Sequence, residues 1–295
     1  MQMDKRFITL FFTAFIDMLG IGIVIPVLGH LFLDASGILP GEHALSVRTF
    51  LLGLLIASYP LAQFFGAPLL GALSDRHGRK KILVLSLIGT FIGYVLFAYA
   101  ILTRNLVLLF VSRILDGFTG GNISTVMSSI ADISEHKDKA KNFGIIGMAF
   151  GLGVIFGPMI GGILADSTVV SWFNPSIPFF FAAFLTLVNI LMVSTLFKET
   201  LVTRIHTEIN LFTGFKNIGK ALAMRNLRTM FIVMFLLTFG FNFYTQFFQV
   251  FLIEKFSYSQ SQIGYIFGYL GIWIAFTQGY VTRIVAKRWK PELLC

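Results

Sequence analysis

The sequence predicts an all-α, polytopic membrane protein, and three features of the chain support this fold class. First, 56% of the 295 residues are hydrophobic and only 13% are charged, whereas about 25% of the residues of a soluble domain are charged. Second, the mean hydropathy is +0.82, and apolar runs of about 20 residues, long enough to cross a bilayer as a helix, recur along the chain. Third, lysine and arginine collect in alternate loops between these runs. The lipid bilayer is therefore the expected environment of the chain.

Eight apolar runs are candidate membrane spans. The first six follow one another closely and predict a six-helix transmembrane bundle over 1–197. A polar segment, 198–228, separates this bundle from a shorter unit, 229–295, which contains the last two runs. The runs lie near residues 7–32, 48–73, 82–102, 105–132, 143–165, 177–197, 229–253 and 262–282.

The distribution of cations predicts how the chain is oriented in the membrane. If the N-terminus lies in the cytoplasm, 19 of the 23 Lys and Arg residues fall on the cytoplasmic side. This asymmetry follows the positive-inside rule, by which cytoplasmic loops carry the excess of cations. The net charge of +9 is therefore explained by topology, and we expect no nucleic-acid partner.

The polar segment 198–228 contains a pattern with helical spacing. One face of the pattern is apolar and the other carries cations, as in a helix that lies on the cytoplasmic membrane surface. A solvated linker fits the composition equally well. The apolar residues are Leu211, Phe212, Phe215, Ile218 and Leu222, and the cations are Lys216, Lys220 and Arg225.

The turn between the second and third spans combines glycines, a carboxylate and several cations. A carboxylate beside cations at the mouth of a helix can form a network that holds in one conformation and breaks in another. We therefore predict a conformational latch at this turn, although the cations could instead serve only to fix the topology. The residues assigned to the latch are Gly71, Asp75, Arg76, Gly78 and Arg79, together with Asp132 at the same end of the fourth span.

Three ionisable residues inside the predicted spans are candidate proton-coupling groups. Asp17 lies about eleven residues into the first span, near mid-membrane at 1.5 Å per residue. Arg113 and Asp116 lie in the fourth span. Charged groups at such a depth are costly, and they usually face a bundle interior or a water-filled cavity on a proton or substrate path. Alternatively, Arg113 and Asp116, three residues apart, could form a purely structural ion pair.

The fifth span is rich in glycine and contains a proline. Small residues four positions apart let helix backbones approach closely, and a proline inside a helix removes a hydrogen bond and bends it. We expect a thin, kinked helix that seals against its neighbour. The residues of this pattern are Gly153, Gly157, Pro158, Gly161 and Gly162.

Four amide side chains are candidates for lining a substrate cavity. Asn242, Gln246 and Gln249 fall on one helical face of the seventh span, where uncharged amides could bond a solute. Asn122 belongs to the small polar run that follows Asp116 in the fourth span. Hydrogen bonding between helices is an equally ordinary role for amides within a membrane.

Several of these motifs together resemble the drug/proton antiporter branch of the major facilitator superfamily, and within it the tetracycline efflux proteins. The resemblance runs from the first span to about Arg288 and is strongest through residue 166. It rests on the turn after the second span, on Arg113 with the glycines that follow it, on the Gly-Pro-Gly-Gly pattern of the fifth span, and on Asp17-x-x-Gly20-x-Gly22-x-x-x-Pro26.

The resemblance implies a fold and a function. The fold is the major facilitator fold, in which two helical bundles rock about a shared cavity; here it would comprise a complete N-terminal six-helix bundle and two helices of the C-terminal bundle. Members of this branch export small amphipathic drugs in exchange for protons, with the proton gradient and no cofactor, across the bacterial inner membrane. The resemblance places Asp17, Arg113 and Asp116 in or near the coupling region, Asp75 and Arg79 in the latch, and the glycines of the fifth span in a gate.

The chain departs from this family in length. Family members have twelve helices, whereas this sequence ends just after the eighth predicted span. Two function classes therefore stay open: a proton-coupled exporter, and a truncated, non-transporting membrane scaffold or partner derived from one. A missing C-terminal segment or a second copy could complete the second bundle. An enzyme is not expected, because the sequence has no nucleophile and base at credible spacing and no cluster of metal ligands.

Overall fold

The computed structural model describes residues 5–34, 37–39, 43–136, 138–202, 213–225 and 227–277. Within these residues the chain is helical and contains no strand, as the predicted fold class requires. The helices are α1 (Lys5–Leu33), α2 (Leu45–His77), α3 (Arg79–Leu102), α4 (Leu106–Thr119), α5 (Ile123–Ile133), α6 (Lys139–Ala165), α7 (Ile177–Leu196), α8 (Thr213–Ala223), α9 (Arg228–Phe256) and α10 (Gln260–Phe276).

The first seven predicted spans are confirmed as helices. Within the described residues, seven helical segments are long and apolar enough to cross a membrane, and they coincide with these spans. The eighth predicted span, 262–282, begins within α10, which is described for 17 residues. The remainder of that span lies outside the described residues.

The fourth span is interrupted by a short 3₁₀ turn. This turn, Gly120–Asn122, joins α4 to α5 without a break in the path through the bundle. Gly117 in α4 and Gly121 in the turn itself lie against the backbone of α2, so closely that a β-carbon would collide with Tyr59 or Ala67. The missing side chains therefore allow α4 and α5 to pack directly on α2.

The six-helix bundle is organised around α1, which packs along α6 and also contacts α7. Helix α3 packs against α4 and α7, and α2 packs against α4. We call the end of the bundle that carries Lys5, Arg79 and Lys198 the basic end, and the end that carries His30 and Asp166 the opposite end. One buried apolar cluster, which includes Leu10, Leu83, Val126 and Val193, fills the basic half. A second, which includes Ile23, Val27, Phe97 and Phe179, fills the half nearer the opposite end.

Arg48 fastens the connection between α1 and α2. Its guanidinium group is buried, and it donates hydrogen bonds to the carbonyl oxygens of Phe32 at 2.9 Å, Asp34 at 3.0 Å and Leu39 at 3.3 Å. Since unpaired carbonyl groups at a helix end are costly to bury, this cation has a structural role at the opposite end of the bundle.

Helix α8 lies within the polar segment and packs on α2. Phe215 packs against Phe64 and Phe65 of α2, with ring centroids 5.0 and 6.1 Å apart. Ile218 and Leu222 remain partly exposed. Leu211 and Phe212, which were assigned to the same face, lie outside the described residues.

Helices α9 and α10 meet the six-helix bundle at the opposite end. The backbone N–H of Gly29 in α1 donates to Gln249 Oε1 of α9 at 3.2 Å. Nε2 of His30 donates to the carbonyl oxygen of Tyr258, which lies between α9 and α10, at 2.8 Å. By contrast, the first half of α9, from Arg228, is exposed. The contacts of the two parts described here therefore lie at the opposite end.

Asp166 adds a third connection at the opposite end. This residue follows α6, and its Oδ2 accepts hydrogen bonds from the hydroxyl group of Ser261 at 2.6 Å and from the backbone N–H of Ser261 at 3.3 Å. Its Oδ1 accepts from the backbone and the hydroxyl group of Thr168. Burial alone would raise the pKa of Asp166, but these hydrogen bonds outweigh burial and hold the pKa well below its usual range. The carboxylate is therefore charged and caps the start of α10.

Candidate functional site

The structure brings Asp17 together with Arg113 and Asp116, although the first comes from α1 and the other two from α4. The side chains of Arg113 and Asp116 are almost completely buried, and Arg113 Nη1 lies 3.6 Å from Asp116 Oδ2. Asp17 lies close enough to Asp116 and to Asn122 to interact with both electrostatically. We call Asp17, Arg113, Asp116 and Asn122 the charge cluster. It contains two carboxyl groups for one cation.

The guanidinium group of Arg113 also packs against two aromatic rings. Its Cζ is 4.6 Å from the ring centroid of Tyr59 in α2 and 6.0 Å from that of Phe97 in α3. Such cation–π contacts stabilise a guanidinium group that has been removed from water. Tyr59 is not among the residues predicted from the sequence. The only signal that it carries there is a hydroxyl group in an apolar span, directly before Pro60.

A cavity of about 550 Å³ lies beside the charge cluster, between α1, α2 and α9. Arg113 and Tyr59 form part of its wall. Two of the predicted amides, Asn242 and Gln246, line it from α9. Gln63 of α2 is a further polar residue in the cavity wall, and its Nε2 donates to the carbonyl oxygen of Gly120 at 2.9 Å. The phenylalanine residues in the cavity wall are Phe239, Phe243 and Phe247.

The other two predicted cavity residues lie elsewhere. Gln249 is fully buried where α9 meets α1, and it uses its side chain for hydrogen bonds to the backbone of Gly29 and Gln246. Asn122 is fully buried beside Asp17, and neither atom of its carboxamide makes a hydrogen bond within the described residues. These two amides therefore belong to a helix contact and to the charge cluster, respectively.

The predicted latch forms a network around Arg79. Its guanidinium group contacts Asp75 Oδ1 at 2.5 Å, Asp132 Oδ2 at 3.1 Å and Ser74 Oγ at 2.6 Å. Asp75 and Asp132 come from different helices, α2 and α5, so one cation links the basic ends of three spans. Arg76, by contrast, is exposed.

Glu199, which is not among the residues predicted from the sequence, completes this network. It follows α7, and its carboxylate accepts hydrogen bonds from the backbone N–H groups of Arg79 at 2.9 Å and Lys80 at 3.2 Å. A carboxylate at this position caps α3 and interacts favourably with the helix dipole. Gly78 has φ +102°, and a β-carbon there would lie 2.5 Å from Glu199 Oε2. The glycine therefore permits both the turn and the cap.

The glycines of α6 form two contact surfaces. Gly153, Gly157 and Gly161 lie against the backbone of α1, where a β-carbon on any of them would collide. Gly162 lies against α10, with a β-carbon position only 3.1 Å from Cα of Gly264. Pro158, which belongs to the same pattern, lies with its ring against Gly22 of α1. The glycine pattern thus joins α6 both to its own bundle and to α10.

These features define a class of protein: a polytopic helical membrane protein with charged groups buried beside a polar and aromatic cavity. The sequence model of the family described as Major Facilitator Superfamily matches residues 10–294. The chain therefore belongs to the major facilitator superfamily.

Individual relatives agree with this assignment. The chain is 32% identical over 281 residues to the class B tetracycline resistance protein of Escherichia coli, covering 93% of this chain and 65% of the relative. It is 30% identical over 279 residues to the quinolone resistance protein NorA of Staphylococcus aureus, covering 91% of this chain and 65% of the relative. The chain thus spans about two thirds of the length of these relatives.

Solved structures show the same fold. The crystal structure of a D-xylose–proton symporter has a TM-score of 0.72 at 16% identity and covers 97% of this chain and 69% of that chain. The human organic anion transporter MFSD10 has a TM-score of 0.70 at 23% identity and covers 94% of this chain and 71% of that chain. The predicted major facilitator fold is therefore confirmed.

Proposed function

We propose that the chain functions as a proton-coupled exporter of small amphipathic drugs, such as tetracycline-like compounds. The observation that carries this proposal is the charge cluster beside the cavity. Two carboxyl groups and one guanidinium group, buried at mid-membrane depth, can take up and release one proton, so that the net charge of the cluster alternates between zero and minus one. We further propose that the proton gradient drives the cycle, without a cofactor.

In the proposed mechanism, drug and proton act on adjacent sites. The drug binds in the cavity, where the aromatic side chains bury its apolar surface and Asn242 and Gln246 bond its polar groups. Asp17 carries the exchanged proton. When Asp17 is ionised, its negative charge acts on that of Asp116, which pairs with Arg113 in the wall of the cavity. Binding at one site thereby changes the electrostatics of the other.

The arrangement of the helices supports a role for the latch and for the glycine contacts in this cycle. The contacts between α6, α1 and α10 hold the opposite end closed, whereas the half of α9 nearer the basic end is exposed. With the N-terminus in the cytoplasm, as the cation distribution favours, the cavity opens toward the cytoplasm in this state. The network around Arg79 would then rearrange when the basic end closes.

The comparisons favour export over the alternative raised by the sequence, a non-transporting scaffold. The relatives reported above are named for resistance to tetracycline and to quinolones, and both come from bacteria. A location in the bacterial inner membrane follows as part of the proposal.

The proposal is tested by drug-dependent proton movement in inverted membrane vesicles that contain the protein expressed from its natural gene. Addition of tetracycline should release protons from the vesicle lumen. Asp17→Asn should abolish this release, because the side chain can no longer exchange a proton, while tetracycline binding is retained.

Asp138→Asn is the matched control. This carboxylate lies just before α6, outside the apolar part of the span, and its replacement should leave proton release unchanged. The proposal is contradicted if the wild-type protein moves no protons with any drug of an amphipathic panel, or if Asp17→Asn exchanges protons at the wild-type rate.

A further inference from the structure

Several buried polar atoms inside the six-helix bundle have no hydrogen-bond partner within the described residues. Buried polar groups in proteins are almost always bonded, and bound water provides the bond where no protein atom does. A cluster of such atoms therefore marks a hydration site. The atoms are Asp17 Oδ2, both carboxamide atoms of Asn122, Thr125 Oγ1, Asn189 Nδ2 and Arg113 Nε.

Polar side chains on α1 continue from Asp17 toward the basic end. Thr13 and Thr9 follow at intervals of four residues, so they share the helix face of Asp17. Both are fully buried. Thr13 Oγ1 lies within hydrogen-bond distance of two acceptors, Asn189 Oδ1 of α7 at 3.0 Å and the carbonyl oxygen of Thr9 at 2.9 Å. Thr9 Oγ1 donates to the carbonyl oxygen of Lys5 at 2.8 Å. Each turn of α1 between Asp17 and the basic end therefore offers a hydroxyl group.

A second polar face runs alongside, on the fourth span. Asn122, Thr125 and Ser129 are spaced three and four residues apart, and all three are fully buried. Helix α5 packs on α1, and Asn122 lies beside Asp17, so the two faces are turned toward each other. We call the combined set the polar column, which consists of Asp17, Asn122, Thr125, Ser129, Thr13, Thr9 and Asn189.

The polar column is separate from the drug cavity. From α1 the cavity is lined by Ile21 and by residues beyond it toward the opposite end, whereas the column runs from Asp17 toward the basic end. None of the column residues lines the cavity as the structure describes it. A pocket of about 390 Å³ at the basic end, between the start of α1 and the end of α7, lies below the column and is lined by Lys5, Arg6, Leu196 and Lys198.

Apolar side chains restrict the lower part of the column. Val193 lies one turn below Asn189 on α7 and is fully buried, and Leu10 of α1 belongs to the same apolar cluster. The polar path below Asn189 therefore runs along α1 and α5, past Thr9 and Ser129.

We infer that the polar column holds bound water and carries protons between Asp17 and the basic end, by a route separate from the drug cavity. The proton-carrying part rests on the function proposed above. In the release step, the Asp17 carboxyl group gives its proton to a column water, and each water or hydroxyl group accepts one proton and donates another. One proton leaves at the basic end, and Asp17 remains as a carboxylate beside Asn122. The other titratable groups that interact with Asp17 are Asp116, Tyr59 and Tyr94.

The inference is tested by hydrogen–deuterium exchange of the Asp17 carboxyl group in the nanodisc-embedded protein. The C=O stretching band is followed by infrared spectroscopy after transfer to D₂O, at an acidic pH at which the carboxyl group is protonated. Asp17→Asn assigns the band. The variants Thr125→Val and Asn189→Leu, singly and combined, should slow the exchange at least tenfold, because they remove groups that hold the water.

Thr186→Val is the matched control. Thr186 is also a buried threonine, but its hydroxyl group is bonded within its own helix, to the carbonyl oxygen of Ala182 at 2.8 Å. Its replacement should leave the exchange rate unchanged. Thr125→Ser, which keeps a hydroxyl group, should restore the wild-type rate and thereby exclude misfolding as the cause of a slow rate.

Exchange in the Thr125→Val and Asn189→Leu variants as fast as in Thr186→Val would overturn the inference. If one of the two variants does not yield folded protein, the exchange rate of the other variant decides the test. The measurement needs no drug, so a missing response to tetracycline would count against the proposed function and leave this result standing.

Discussion

Replacing Gly157 by alanine is expected to force α6 away from α1. A methyl group at this position would lie 2.6 Å from the carbonyl oxygen of Leu19 and 2.8 Å from Cα of Gly22. Both are backbone atoms of α1, so no side chain can rotate out of the way. Because favourable contact needs about 3.5 Å, the helices must separate by about 1 Å. Overpacking of this kind costs about 1–3 kcal/mol.

Gly147→Ala provides the matched control on the same helix. A β-carbon at Gly147 meets no atom within 4 Å, and alanine is favoured over glycine inside a helix by about 1 kcal/mol. Because both variants gain this helix propensity, it cancels in the comparison, and we expect the Gly157 variant to be less stable than the Gly147 variant by about 1–3 kcal/mol. Unfolding of the purified proteins in mixed micelles, titrated with SDS, measures this difference. Equal stability, or a more stable Gly157→Ala protein, would refute the close contact between the two helices.

Two further predictions concern the ends of the bundle. Asp166→Asn should lower stability at pH 7 by about 1–3 kcal/mol, since a charged acceptor is lost. Because the folded-state pKa of Asp166 is lowered, its contribution to stability is fully present above about pH 4 and is lost only as the pH falls further. The difference in melting temperature between wild type and variant should therefore be the same at pH 7 and at pH 5. Arg79→Gln should accelerate amide exchange in the turn between α2 and α3 by about 5–150-fold, equivalent to 1–3 kcal/mol, through the lost contacts to Asp75 and Asp132. Arg76→Gln, at an exposed position, should leave this amide exchange unchanged. Equal exchange rates in the Arg79 and Arg76 variants would contradict the latch.

Much of the fold can be predicted because membrane spans are encoded locally. A helix that faces lipid needs an uninterrupted apolar run, and seven such runs became the seven spans. Glycines at positions such as Gly157 are also readable, since a close helix contact excludes larger side chains. The sequence cannot show which helix provides the partner backbone, and here α6 contacts α1 on one side and α10 on the other.

The candidate site is less predictable, because it depends on how the helices are rotated against one another. Asn242, Gln246 and Gln249 share one face in the sequence, yet only the first two line the cavity, since Gln249 lies where α9 reaches α1. Asn122 likewise turns toward Asp17. Glu199 caps a helix that begins 120 residues earlier in the chain, and no local pattern connects the two.

The contacts at the opposite end have a consequence for how the chain can change during evolution. Two of the three connections there join a side chain only to a main-chain group, Gln249 to the N–H of Gly29 and His30 to the carbonyl oxygen of Tyr258, whereas Asp166 bonds both the N–H and the hydroxyl group of Ser261. A main-chain group is present whatever residue occupies the position, except where proline removes the N–H. At the contact between His30 and Tyr258, selection therefore acts on His30 and leaves residue 258 largely free to drift, whereas Gly29 is also restricted because a β-carbon there would lie 2.6 Å from Cδ1 of Ile253. Pairwise co-variation between homologous sequences would accordingly miss the contact between His30 and residue 258, although it helps to hold the two parts of the molecule together.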